Sequence, residues 1–69
     1  MLKKKSFSLS GHRTSVALEE EFWAVLEREA ATAKQSLAGL VADIDKKRGT
    51  RPLARALRLA ALAAVAHRH

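Results

Sequence analysis

Residues 12–18, His12-Arg13-Thr14-Ser15-Val16-Ala17-Leu18 (HRTSVAL), decide the fold of this chain. Strand side chains alternate with a period of two, which puts Thr14, Val16 and Leu18 on one face and Arg13, Ser15 and Ala17 on the other. Such a strand has a half-apolar face and two unpaired edges, so it needs a partner, and nothing downstream reads as a second strand. The expected partner is a second copy of the same segment, paired antiparallel across a two-fold axis. That ribbon would repeat Arg13, Ser15 and Ala17 on its outer face and is narrow enough for a DNA major groove.

Size and composition support association. A chain of 69 residues is one domain at most, and a domain this small needs a staple or a partner. It has no cysteine, and His12, His67 and His69 are too scattered to suggest a zinc site, so no metal or cofactor is expected. Another chain is the support that remains, in keeping with an apolar content of 48%. The net charge of +6, from 13 Lys and Arg against 7 acids, favours a polyanionic partner. Lys3, Lys4, Lys5 and Arg13 all precede the first acid, whereas Glu19, Glu20, Glu21, Glu27 and Glu29 follow the strand. The basic start lacks the apolar core of a signal peptide, and the apolar run at residues 59–66 is far short of the ~20 residues of a membrane span. A cytoplasmic protein without membrane contact is expected.

Residues 1–11 read as a basic N-terminal arm, its lysines either solvated or touching phosphates, with Phe7 and Leu9 alternating near its end and Gly11 suited to a bend. After Leu18 the period changes to about 3.6. Phe22, Val25, Leu26, Ala30 and Ala33 form one helical stripe behind Glu19, Glu20 and Glu21 in a favourable first turn. Trp23 lies off that stripe, packing at a dimer interface or against a third helix. A second helix follows Ser36, its N-cap, with Leu37, Leu40, Val41 and Ile44 inward and Gly49 at its end. Gly39 there suggests a close helix crossing. A third helix begins near Pro52, with Leu53, Ala56, Leu57, Ala60 and Ala64 on one face and Leu59, Leu62 and Val65 on a second. Arg51, Arg55 and Arg58 line another side, solvated or facing phosphates, and His67 to His69 form a frayed end.

Strand, helix, helix in residues 12–48, with the string GHRTS…LE…FW and SLAGLVADID, resembles the ribbon-helix-helix (Arc/MetJ-type) DNA-binding family, in a small bacterial branch carrying an extra C-terminal segment. The resemblance implies a mostly α fold with one N-terminal strand pairing antiparallel in an intertwined homodimer, two core helices and a third C-terminal helix. It divides the chain into the arm at 1–11, the ribbon-helix-helix domain at 12–48 and a helical extension at 49–69. It implies base contacts from Arg13, Ser15 and Ala17, with Ala17 limited to apolar contact. Phosphate contacts would come from the N-terminus of the second helix at Ser36 and Leu37, and from Lys3, Lys4 and Lys5. Val16, Leu18, Phe22, Leu26, Leu40 and Ile44 would make the dimer core.

The expected function is that of a homodimeric transcriptional regulator, a repressor type, bound to double-stranded DNA and capable of higher assembly. The alternative is an antitoxin-like interaction module that binds a protein through the third helix; that helix could equally complete the dimer core or join dimers. No catalytic residues are expected: there is no phosphate loop, and His12 with Glu19 is the nearest approach to an acid/base pair.

Overall fold

The strand at residues 12–18 is present, as β2 (His12–Glu19), but its partner is upstream in the same chain. A computed structural model describing residues 1–67 shows β1 (Leu2–Leu9) and β2 as an antiparallel pair, in register from Leu2 opposite Glu19 to Leu9 opposite His12. They are followed by α1 (Glu20–Thr32), α2 (Leu37–Lys47) and α3 (Leu53–Ala66). The end expected beyond His67 lies outside the described residues.

Two expectations are corrected. Residues 2–9 are a strand rather than a free arm, and β2 is paired along one edge by this strand of its own chain, where the sequence reading looks only to a second copy. The physical reason is the turn. Ser10 and Gly11 have φ of 52° and 80°, and a two-residue loop with both φ positive has the sense of twist that joins adjacent antiparallel strands. Three consecutive lysines hide the alternation of β1, leaving Phe7 and Leu9 to carry it.

Phe7, Leu9, Val16 and Leu18 form the inner face of the hairpin and are buried beneath the helices. Of the residues assigned to a dimer core, Val16, Leu18 and Leu26 are buried by their own chain, while Phe22, Leu40 and Ile44 are partly buried against the same cluster. The buried residues of α1 are Trp23, Leu26 and Ala30; Leu26 and Ala30 belong to the expected stripe, Phe22 and Val25 are partly buried beside them, Ala33 is exposed, and Trp23 is the buried residue that the expected stripe leaves out. Trp23 turns inward because β1 gives it something to pack on. Its ring lies 5.9 Å from that of Phe7, and its Nε1 donates to the Lys3 carbonyl at 2.7 Å. It therefore packs on β1, within the same cluster as Leu53 and Leu57 of α3.

The chain between helices is shaped by backbone hydrogen bonds. Lys34, with φ of 56°, closes α1: its N–H meets the Ala31 carbonyl at 3.0 Å and the Gln35 N–H meets the Ala30 carbonyl at 2.9 Å. Ser36 caps α2, its Oγ accepting from the Gly39 N–H at 3.0 Å. Gly39 marks no helix crossing. A Cβ there would meet Gln35 Oε1 at 3.2 Å and Ser36 Oγ at 3.3 Å, so the crowding comes from the cap. α3 buries Leu53, Ala56, Leu57 and Ala61 against the core, supplying cover that the sequence reading looks for in a second chain.

Candidate nucleic-acid interface

The outer face of the hairpin is the side that the helices leave bare. Alternation along β2 exposes Arg13 and Ser15 and leaves Ala17 half-buried; along β1 it exposes Lys4, Ser6 and Ser8. The register sets these in three rungs, Ser8 opposite Arg13, Ser6 opposite Ser15 and Lys4 opposite Ala17. At the middle rung the two Oγ atoms are 2.8 Å apart, one hydroxyl donating to the other. The structure thus brings Arg13, Ser15 and Ala17 onto one face, as the alternation predicts. It adds Lys4, Ser6 and Ser8, a row that sequence reasoning misses as a ribbon strand; the Ser10–Gly11 pair between two alternating segments is the signal that could have found it.

The three lysines do not act as one group. Lys4 belongs to the outer row, whereas Lys5 Nζ stands 5.8 Å from the centroid of Trp23 on the helix side. Lys3 and Lys5 line a shallow groove there with Glu20, Ala24 and Glu27. Of the cations assigned to phosphates at the N-terminus, Lys4 is the one that shares a face with Arg13.

At the start of α2 the Ser36 hydroxyl is engaged in its cap, and no acid stands in the first turn. The amides of the opening turn that precede the capped one retain the donor character of a helix N-terminus. Of the arginines expected on the third helix, Arg51 lies in the loop before α3 and Arg55 on α3, both exposed. Arg58 is instead tied to Glu19: its Nε donates to Oε1 at 3.1 Å and its Nη2 to Oε2 at 3.4 Å, with the guanidinium 5.8 Å from the Phe22 ring. The Glu19 carboxyl is held below the usual carboxylate range by its own backbone N–H and by Arg58. Arg48 joins α2 to the following loop, through Asp45 and the Arg51 carbonyl, each at 2.6 Å.

His12 and Glu19 stand at opposite ends of β2, so the acid/base pair considered from the sequence is not assembled. Among the described residues no three His, Cys, Asp or Glu side chains gather as a metal site would require. No described helix is long and apolar enough to cross a membrane.

The architecture of a paired ribbon backed by helices agrees with the comparison of sequences, in which the family model described as a ribbon-helix-helix domain matches residues 2–65. The chain belongs to the ribbon-helix-helix family. The match takes in β1 and nearly all of α3, not only the central strand and two helices. Ribbon-helix-helix domains generally bind DNA as transcription regulators and form dimers. Neither the curated proteins nor the solved structures give a match. In this ribbon-helix-helix domain the bare side of the ribbon is where family and geometry meet.

Proposed function

We propose that this protein binds double-stranded DNA by laying the outer face of its β1–β2 hairpin in the major groove, and that it acts there as a transcription regulator. One observation carries the reading: a two-stranded ribbon sealed on one face by helices presents exposed Arg13, Ser15, Lys4, Ser6 and Ser8 on the other. Strands about 4.8 Å apart fit a groove about 12 Å wide with room for side chains on both edges. Arg13 is the residue suited to take guanine O6 and N7 together, Ser15 donates or accepts, and Ala17 offers a methyl group to thymine. Lys4 and the amides at the start of α2, around Ser36 and Leu37, hold phosphates.

Selection from a random duplex library, followed by titration at two salt concentrations, tests this. Affinity is expected to fall steeply with salt, and Arg13→Ala to cost about 1–3 kcal/mol on the selected site. Full binding by that variant would remove Arg13 from the groove; no binding by the unaltered protein would end the DNA reading.

A second reading is carried by Leu59, Leu62 and Val65, which remain 41%, 57% and 42% exposed on α3. Such a strip, next to Ala63 and Ala66, is a protein contact surface. In a homodimer it is where the second copy sits; in an interaction module a foreign protein sits there. Sedimentation separates the two. A dimer that Leu62→Glu dissociates assigns the strip to a second copy, and a monomer leaves it to another protein.

A further inference from the structure

The sheet has two outer edges, and the chain treats them differently. Consecutive lysines at positions 3–5 guard β1, a charge pattern that keeps other strands away, and Trp23 of α1 lies against it, bonded to the Lys3 carbonyl. β2 carries no lysine, and the two-stranded sheet leaves its far edge unpaired. In a hairpin closed by a two-residue loop the pairs alternate from the loop outward, so Arg13, Ser15 and Ala17 aim their backbone N–H and C=O groups at that edge.

α3 stands beside the open edge. α2 packs on β1 and α3 on β2, so the flank of α3 turned away from α2 is the one nearest it. Ala60 and Ala63 mark the α2 side, where they line an apolar groove with Leu40 and Ile44. About half a turn round the helix lie Arg58, Leu62 and Val65, spaced by four and three. Leu62 and Val65 are 57% and 42% exposed, and the partly buried Phe22 of α1 joins them through its contact with Arg58.

We propose that α3 is a dimerisation element: its Leu62 and Val65, with Phe22, close on the same flank of a second copy whose β2 lies antiparallel along the open edge of the first. The inference rests on the homodimer raised above and names the surfaces that join it. An isologous contact sets a patch against itself. This patch suits that, because it is apolar and its Arg58 is already met by Glu19 inside each chain. Arg55, one turn earlier and exposed, falls at the rim. Along the strands, setting Ser15 opposite Ser15 places Arg13 of each copy opposite Ala17 of the other, so that the two arginines do not face each other. The joined sheet has four strands and is about 14 Å across, wider than a groove of about 12 Å. Arg13 and Ser15 are then central, and Lys4 is carried out to the phosphates of the groove walls.

Sedimentation and thiol cross-linking, both without DNA, test this. The unaltered protein should be a dimer that dissociates on dilution, and Val65→Glu should raise its dissociation constant about 100-fold or more, since two carboxylates then meet across the axis. Leu59→Glu, on the groove side of α3 beside Lys47 and Arg48, should change it by no more than about twofold. Both side chains are exposed, so circular dichroism should show each variant folded. The chain has no cysteine, so Ser15→Cys adds a single thiol. Its oxidation should give a disulfide-linked dimer, and Val65→Glu in the same chain should slow that linkage. A monomeric unaltered protein, a dimer that Val65→Glu leaves intact, equal weakening by Leu59→Glu, or a dimer that Ser15→Cys does not cross-link would each overturn the proposal. The duplex titration is separate: its failure would remove the groove contacts and leave the dimer standing.

Discussion

The two faces of the hairpin are made from the same two strands, taken at alternate residues, and they have opposite fates. Phe7, Leu9, Val16 and Leu18 lie under α1, α2 and α3 as part of one apolar cluster. Lys4, Ser6, Ser8, Arg13 and Ser15 have nothing above them. A period of two lets a segment of eight residues per strand serve both stability and recognition, with each duty on its own set of side chains. Substitutions on the inner set should therefore register in unfolding, and those on the outer set in DNA binding.

The inner face breaks most readily at Trp23, which is 2% exposed. Trp23→Ala is expected to cost about 3–5 kcal/mol, a large part of the stability of so small a domain, seen as a collapse of the urea midpoint. A loss under about 1 kcal/mol would mean that this cluster is not the core. On the outer face Arg13→Ala, expected to cost about 1–3 kcal/mol of DNA binding, should leave the unfolding free energy within about 0.5 kcal/mol of the unaltered protein. A shift well beyond that would show that the two faces are not separable.

The turn affects both faces at once. A Cβ at Gly11 meets nothing within 4 Å, so Gly11→Ala costs only the backbone strain of a positive φ, about 1 kcal/mol. Ser10→Asn should act in the opposite sense by a few tenths, since asparagine accepts that conformation more readily. Denaturation of the pair gives both values, and opposite signs are the result to look for.

The smallest effect belongs to Glu19, where β2 is tied to α3. Its carboxyl is held below the usual range by its own N–H and by Arg58, so the folded protein binds that proton less readily than the unfolded chain. The stabilisation is present in full above the unfolded pKa and disappears as pH falls through the folded one. Glu19→Gln should flatten the acid limb of the urea midpoint plotted against pH and change little at neutrality.

Much of this architecture is legible in residues. The alternation of Thr14, Val16 and Leu18 against Arg13, Ser15 and Ala17 assigns both faces of β2, and Ser36 with Gly49 brackets α2 closely. β1 is harder to read because its lysine run carries no period, and Trp23 because a helix stripe on Phe22 fits the spacing equally well. The candidate site is half legible for the same reason: the β2 row is visible in the sequence, while the β1 row depends on which strand lies beside it.

Periodicity and capping, which act over a few residues, let the sequence by itself determine the order of strand and helices, the polar side of β2 and its basic character. Only the tertiary structure decided that β2 pairs with β1 of its own chain, that Trp23 turns inward and that α3 covers the core. Those outcomes depend on contacts between residues distant along the chain, where several partners satisfy the same local pattern and only packing of the whole selects one.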